Sequence, residues 1–185
     1  ELAIEADKYI RIWAQDVDKL VVAVDGYTGV GKTTLVNELA KLNPDITFIH
    51  QDDFLLPKEQ IEKLLADAKD KSKVFELEVR DNRKLEGVIN LFKTGESEKG
   101  ILVIDGVFMF HPQNLNHLWN RRIYLTGDLQ KIDERRIRRE KERWGKKYFP
   151  ETHPDSYFKQ VTTALKRYQK EFEPEKLADL VLLVD

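Results

Sequence analysis

Residues 20–33 read LVVAVDGYTGVGKT, and they combine the pattern of a buried strand with that of a glycine-rich loop. Its first part, residues 20–26, is a continuous apolar run that ends in Asp–Gly, which is typical of a strand buried on both faces of a parallel sheet. Its second part, residues 26–33, matches the pattern G-x-x-x-x-G-K-[ST], and the residues after it have helical periodicity. A buried strand, a glycine-rich loop and a helix in this order predict a loop that binds phosphate groups.

The residue types in this loop suit the chemistry of a nucleoside triphosphate. Glycines permit backbone angles that let successive N–H groups converge on phosphate oxygens. We expect Lys32 to reach the β- and γ-phosphates and the Thr33 hydroxyl to bind Mg²⁺. The predicted cofactors are therefore ATP and Mg²⁺, and a chance glycine-rich turn is the alternative. The predicted phosphate-binding residues are Gly26, Thr28, Gly29, Val30, Gly31, Lys32, Thr33 and Thr34.

The rest of the chain alternates apolar strands with helical segments. Further strands are predicted at residues 46–50, 101–106, 121–127 and 178–185, and helices at residues 2–18, 33–42, 58–71 and 80–93. A long, highly charged helical region separates the last two strands. This alternation predicts an α/β fold in which helices cover both faces of a five-stranded parallel sheet.

Bulk composition narrows the class of protein. The chain has 185 residues, a net charge of −2 and no cysteine, so we expect a single domain without disulfides or thiolate metal sites. Within it, residues 19–185 form the predicted core and residues 1–18 an amphipathic N-terminal helix. The near-neutral charge argues against a nucleic-acid partner, and no apolar run approaches the length of a membrane span. We predict a cytoplasmic protein, and its oligomeric state stays open.

Acidic residues end three of the predicted strands. Asp25 ends the first strand, the doublet Asp52–Asp53 follows the second, and Asp105 ends the third. In an open parallel sheet the ligand lies at the carboxyl ends of the strands, so these carboxylates are expected to gather at one edge. Beside a phosphate loop, Asp105 is the predicted second Mg²⁺ residue, and a plain Asp–Gly turn is the alternative.

The doublet within FIHQDDF, residues 48–54, has two interpretations. A solvated loop could hold two adjacent carboxylates, or one of them could remove the proton from a hydroxyl group that receives phosphate. Adjacent residues that leave a strand point in opposite directions, so at most one of Asp52 and Asp53 is the predicted base.

Taken together, GYTGVGKTT, HQDDFLLP, ILVIDGVFMF, the arginine-rich helix and LADLVLLVD resemble the uridine kinase and nicotinamide riboside kinase family over most of residues 20–185. The resemblance implies a three-layer P-loop kinase fold with an arginine-rich helical lid. It assigns Asp52 as the base and Phe54 to substrate binding, and it leaves the role of Asp53 open. In one departure, nicotinamide riboside kinases carry Glu where this chain has Asp105.

The acceptor side is also assigned by resemblance. The family uses an acidic residue to bind ribose hydroxyls, and EVRDNRKLEGVI at residues 78–89 places Asp81 there. Glu78 is a competing candidate, and a helix-capping role is the alternative for Asp81. Arg80 and Asn82 stand where the family has aromatic residues. His111 is predicted to line the pocket for the base, with a structural hydrogen-bonding role as the alternative.

Arginines dominate the segment DERRIRREKER, which begins at residue 133. A salt-bridged, solvated helix is one interpretation and a nucleic-acid patch is another, although the near-equal acid content weakens the second. The resemblance implies a lid over about residues 128–160 that closes on the phosphates. Arg139 and Arg143, one helical turn apart, are the predicted catalytic arginines alongside Lys32 and Asp52.

The sequence therefore predicts a kinase that transfers the γ-phosphate of ATP to a small-molecule hydroxyl. By resemblance the acceptor is a nucleoside phosphorylated at its 5′-hydroxyl, with uridine or cytidine ahead of nicotinamide riboside, pantothenate or another small alcohol. A P-loop switch or regulatory nucleotide-binding protein is the rival class. The guanine-reading N-K-x-D pattern of switches is absent from the chain. A nucleoside-binding protein without catalysis is a third possibility.

Overall fold

Five parallel strands form one sheet, which confirms the predicted α/β fold. In the computed structural model, which describes residues 1–147, 149–150, 153 and 156–185, the spatial order of the strands is β2-β3-β1-β4-β5. The strands are β1 (Lys19–Gly26), β2 (Ile46–His50), β3 (Gly100–Asp105), β4 (Arg121–Gly127) and β5 (Leu180–Val184).

Helices flank this sheet, and short 3₁₀ turns cover Gln51–Phe54, Asn116–Leu118 and Gly145–Lys147. The helices are α1 (Leu2–Trp13), α2 (Lys32–Leu42), α3 (Lys58–Asp67), α4 (Lys71–Leu77), α5 (Asn82–Thr94), α6 (Leu129–Trp144), α7 (Tyr157–Phe172) and α8 (Pro174–Leu177). In the described ranges no helix combines the length and the apolar character that crossing a bilayer requires.

Three helical segments differ from the prediction. The N-terminal helix ends at Trp13 rather than at residue 18, because acidic residues follow and a negative charge near a helix C-terminus is unfavourable. The predicted helix 58–71 is interrupted, since Asp70 accepts a hydrogen bond from the Ser72 N–H and so begins α4. Helix α7 was not predicted as a separate element. Residues 148, 151, 152, 154 and 155 of the predicted lid lie outside the described residues.

The hydrophobic core lies on both sides of β1. Residues 20–24 of this central strand are almost completely buried, as the apolar run predicts. On the N-terminal helix, Ala3, Ala6, Ile10 and Trp13 are buried, so one face of α1 packs on the body of the protein. The structure therefore confirms that this helix is amphipathic. Tyr9 and Val17, which the helical pattern places on the apolar face, are nevertheless exposed.

Strand pairing brings the ends of three strands together. Strand β3 lies between β2 and β1, with His50 opposite Asp105 on one side and Val24 opposite Asp105 on the other. The phosphate loop leaves β1 one residue beyond Asp25. The carboxylates that end β1 and β3 and the turn that carries Asp52 and Asp53 therefore meet at the carboxyl edge of the sheet.

Candidate active site

The glycine-rich loop connects β1 to α2 and needs glycine at defined positions. Gly29 has φ of 85° and Gly31 has φ of 119°, and both angles fall in the left-handed region that side chains disfavour. At Gly26 a Cβ atom would lie 2.9 Å from the Leu125 carbonyl oxygen of β4. The loop therefore adopts a backbone path that only these residues permit without strain.

Lys32 begins α2, and its side chain folds back over the loop. The Nζ atom donates to the carbonyl oxygens of Gly26 at 2.7 Å and Tyr27 at 3.1 Å. Desolvation lowers the pKa of Lys32 to about 8, and the charges of Asp25, Asp105 and Asp52 oppose this shift. The ammonium group thus lies among three carboxylates, where phosphate oxygens would stabilise its charged form.

Asp105 ends β3 and pairs with a histidine from the neighbouring strand. His50 Nδ1 lies 2.5 Å from Asp105 Oδ1. Burial raises the pKa of Asp105, whereas His50 and Lys32 act in the opposite direction. No role was assigned to His50 from the sequence, because its contact depends on the register of β2 and β3.

The donor set near this edge fits Mg²⁺ rather than a metal held entirely by protein. Among the described residues no group of three or more His, Cys, Asp or Glu side chains could hold an ion. Mg²⁺ commonly takes one or two carboxylates and completes its shell with water and phosphate oxygens. Asp105 and the exposed Thr33 at the start of α2 are donors of this kind.

Asp25 is a buried site residue whose role the sequence did not resolve. It is 1% exposed and accepts hydrogen bonds from the Gly26 N–H at 2.8 Å and from the Tyr168 hydroxyl of α7 at 2.6 Å. Desolvation raises the pKa of Asp25 to about 6, and these two donors and Lys32 limit the rise. Asp25 therefore fastens the base of the phosphate loop to α7.

The 3₁₀ turn Gln51–Phe54 carries the aspartate doublet, and Gln51 anchors it. Gln51 is 1% exposed, and its Oε1 accepts a hydrogen bond from the Val107 N–H at 3.0 Å. In contrast, the Asp52 side chain is 72% exposed, and its Oδ1 accepts a hydrogen bond from Arg80 Nη2 at 3.0 Å. Asp53 is also exposed, and Phe54 packs against the main core.

The predicted acceptor residues Asp81 and His111 lie in different surroundings. Asp81 caps α5, and its Oδ1 accepts a hydrogen bond from the Lys84 N–H at 3.0 Å. His111 is 3% exposed and its ring lies 4.5 Å from that of Phe172, so it is enclosed in the core. Burial lowers the pKa of His111. Substrate binding by either residue stays a prediction, and Glu78 immediately follows α4.

Comparisons with known proteins agree with this geometry. A family model described as a domain of unknown function (DUF8485) matches residues 5–82. Nicotinamide riboside kinase 2 from Mus musculus is 27% identical over 171 residues, which cover 85% of this chain and 83% of that protein. Nicotinamide riboside kinase 1 from Rattus norvegicus is 30% identical over 131 residues, or 64% of this chain, and the chain spans 66% of its length.

Solved structures share the whole fold. A possible uridine kinase from Bacillus stearothermophilus has a TM-score of 0.63 at 17% identity and covers 96% of this chain and 99% of its own. The chain is similar in sequence to nicotinamide riboside kinases and has the fold of P-loop kinases. These similarities indicate a phosphotransferase that uses an alcohol group as acceptor.

Helix α6 of this P-loop kinase carries its arginines next to the phosphate loop. Arg135 Nη2 donates to the Gly29 carbonyl oxygen at 3.3 Å. Arg136 is 6% exposed, donates to Thr162 Oγ1 of α7 at 3.0 Å and stacks on Phe158 at 4.2 Å. Neither arginine was singled out from the sequence, because helical periodicity alone does not reveal which of five arginines faces the loop.

The two predicted catalytic arginines of the kinase differ in position. Arg139 lines a cavity of about 250 Å³ beside the loop, and Arg143 lies over the ring of Trp144 at 5.3 Å at the far end of α6. The other residues that line this cavity are Leu2, Gly29, Val30, Gly31, Thr34, Leu35, Glu38, Arg135 and Val184. A catalytic role for Arg139 or Arg143 stays a prediction.

We expect ATP binding at about pH 8 to take up roughly half a proton per site, because phosphate oxygens raise the lowered pKa of Lys32. Calorimetric titrations in two buffers of different ionisation enthalpy measure this uptake. Lys32→Arg, which keeps a permanent charge, should abolish it. Equal uptake by the variant, or none by the wild type, would contradict the account of Lys32.

We expect Tyr168→Phe to lower the free energy of unfolding by about 2 kcal/mol, because it leaves a buried carboxylate oxygen of Asp25 without its donor and the buried Phe110 N–H without its acceptor. Urea denaturation measures the change. Tyr157→Phe, in the first turn of the same helix and exposed, is the matched control and should change stability little. Similar losses in both variants would show that the Asp25 contact is not what stabilises the loop.

Proposed function

We propose that the protein transfers the γ-phosphate of ATP to a hydroxyl group of a small molecule, with a nucleoside 5′-hydroxyl as the first candidate acceptor. One observation carries the proposal: β3, which ends in Asp105, lies between β1, which leads into the loop with Lys32, and β2, which leads into the turn with Asp52. A base candidate, a candidate metal-binding carboxylate and a phosphate-loop lysine thus lie at one edge of the sheet. Kinase chemistry needs these three groups together.

Each residue has a defined task in this proposal. Loop N–H groups and Lys32 bind the phosphates, and Thr33 and Asp105 hold Mg²⁺, which neutralises charge on the triphosphate. Asp52 accepts the proton of the acceptor hydroxyl as its oxygen approaches the γ-phosphorus. The cavity beside Arg139 suits the nucleoside part of ATP, because it adjoins the loop on the side of α6.

The lid assignment and the domain organisation belong to the same proposal. We treat residues 1–185 as one kinase domain in which the region around α6 closes over the bound phosphates. Its arginines already contact the loop through Arg135 and α7 through Arg136, which supports a role beside the triphosphate. A cytoplasmic location suits an enzyme that uses ATP and a small metabolite.

Two classes of acceptor are candidates for this kinase: nucleosides and other small alcohols. The sequence relatives are named nicotinamide riboside kinases, which supports a nucleoside acceptor and raises nicotinamide riboside beside uridine and cytidine. Arg80, which stands where the family has an aromatic residue, lies against Asp52 at the acceptor side. Pantothenate or another small alcohol stays a candidate, because this departure from the family lies on the acceptor side.

ATP consumption measured across a panel of uridine, cytidine, nicotinamide riboside, pantothenate and small hydroxy acids tests the proposal. The expected result is acceptor-dependent release of ADP, with a phosphorylated product detected by mass spectrometry. Tight ATP binding without turnover on any member would instead favour a switch or a regulatory nucleotide-binding protein.

The adjacent aspartates provide a matched pair of variants. Asp52→Asn should lower kcat by about 100-fold or more and leave ATP affinity unchanged, because general-base catalysis contributes 10²–10⁴-fold. Asp53→Asn should change kcat by less than about threefold, since surface substitutions outside the chemistry have small effects. Steady-state kinetics and ATP titrations measure both variants. Equal losses would show that the base is assigned wrongly.

A further inference from the structure

Arg80 is fixed to the turn that carries Asp52. The backbone of residues 79–81 pairs with that of residues 54–56: the Leu56 N–H donates to the Val79 carbonyl at 2.9 Å, and the Asp81 N–H donates to the Phe54 carbonyl at 2.7 Å. Leu55 and Arg80 form an isolated antiparallel bridge between them. The arginine and the proposed base are therefore held in one rigid local unit.

The guanidinium group of Arg80 uses only part of its hydrogen-bonding capacity. Its side chain is 14% exposed, and Nη2 donates to Asp52 Oδ1 at 3.0 Å. The Nε atom is buried and has no hydrogen-bond partner within the described part of the chain. A buried donor without a partner is unfavourable, so an oxygen atom supplied by a ligand would stabilise this arrangement.

The negative charge of Asp52 beside a bound triphosphate also requires a nearby cation. A carboxylate that approaches a triphosphate is repelled by its negative charge, and a nearby cation reduces this repulsion. Arg80 donates to Asp52 in the turn that directly follows β2, and only β3, which ends in Asp105, separates β2 from β1 and its phosphate loop. Arg80 and Asp52 therefore lie at the sheet edge that also carries Asp105 and the phosphate loop.

Four of the five arginines of α6 lie at places other than Asp52. Arg135 contacts the Gly29 carbonyl, Arg136 is buried against Thr162, and Arg143 stacks on Trp144. Arg139 lines the cavity on the other side of the loop. The guanidinium group that contacts the proposed base comes instead from the segment before α5.

We propose that Arg80 is a catalytic residue whose Nε–H donates to an oxygen of the transferred γ-phosphoryl group while Nη2 stays on Asp52. The inference rests on the proposed kinase function. In the step, the acceptor oxygen forms a bond to the γ-phosphorus and its proton passes to Asp52. The bond from the γ-phosphorus to the β,γ-bridging oxygen breaks, and ADP leaves with that electron pair. Arg80 stabilises the negative charge spread over the phosphoryl oxygens.

Kinetics of Arg80→Gln and Arg80→Lys test this role, with Arg83→Gln as the matched control because Arg83 is exposed in the first turn of α5. With an acceptor that the wild type phosphorylates, Arg80→Gln should lower kcat by about 100-fold or more, and KM for ATP and for the acceptor should change little. Arg80→Lys should retain part of the activity, since lysine keeps the positive charge but lacks the planar guanidinium group with its several N–H donors.

A third variant, Arg80→Ala, provides a chemical rescue experiment. Added guanidinium ion, but not urea, should partly restore its kcat.

Two results would overturn the role of Arg80 and leave the kinase function intact. One is a variant that keeps kcat and raises KM for the acceptor, which would make Arg80 an acceptor-binding residue. The other is a loss of kcat that guanidinium does not restore and that accompanies lower thermal stability, which would make it structural.

A binding measurement tests Arg80 without any acceptor. Aluminium fluoride, which mimics the phosphoryl group in transfer, should tighten ADP·Mg²⁺ binding to the wild type and to Arg83→Gln by about tenfold or more, and should not tighten binding to Arg80→Gln. Equal tightening in all three proteins, or none in the wild type, would contradict the proposal. If the wild type phosphorylates no acceptor, the proposed function fails separately from this result.

Discussion

The site depends on one ammonium group held among carboxylates in a partly buried loop. Lys32 donates to two loop carbonyls, and three carboxylates from three different chain segments act on its charge. Desolvation alone would drive the lysine towards its neutral form, and the carboxylates keep it available as a cation. The same carboxylates need positive charge from the lysine, Mg²⁺ or arginine. The phosphate loop, the metal residue and the proposed base therefore form one electrostatic unit.

Helix α7 holds this unit to the rest of the protein. Tyr168 reaches Asp25 below the phosphate loop, and Thr162 accepts a hydrogen bond from Arg136 of α6. Arg167 of the same helix donates to Glu76 at 3.3 Å and to Ser72 at 2.9 Å, both in α4. One helix thus fixes the strand that carries the loop, the arginine helix and the segment that leads to Arg80. Its buried contacts explain why substitutions remote from the chemistry can disturb the loop.

The sequence revealed those features that depend on local pattern. Apolar runs predicted all five strands, and the glycine spacing predicted the phosphate loop, because both reflect backbone requirements within a few residues. The end of α1 and the break between α3 and α4 were missed, since acids at a helix end and a single capping aspartate outweigh weak periodicity. Contacts between distant segments could not be predicted: His50 with Asp105, Tyr168 with Asp25 and Arg80 with Asp52 each depend on tertiary packing.

If the phosphate loop and Asp52 serve one reaction, both must contact their substrates in the same complex. A crystal structure with Mg²⁺, a non-hydrolysable ATP analogue and an acceptor identified by turnover tests this. We expect the γ-phosphate on Lys32, with the acceptor hydroxyl within hydrogen-bonding distance of Asp52 and in line with the γ-phosphorus. A triphosphate bound away from Lys32, or an acceptor hydroxyl directed at another base, would contradict it.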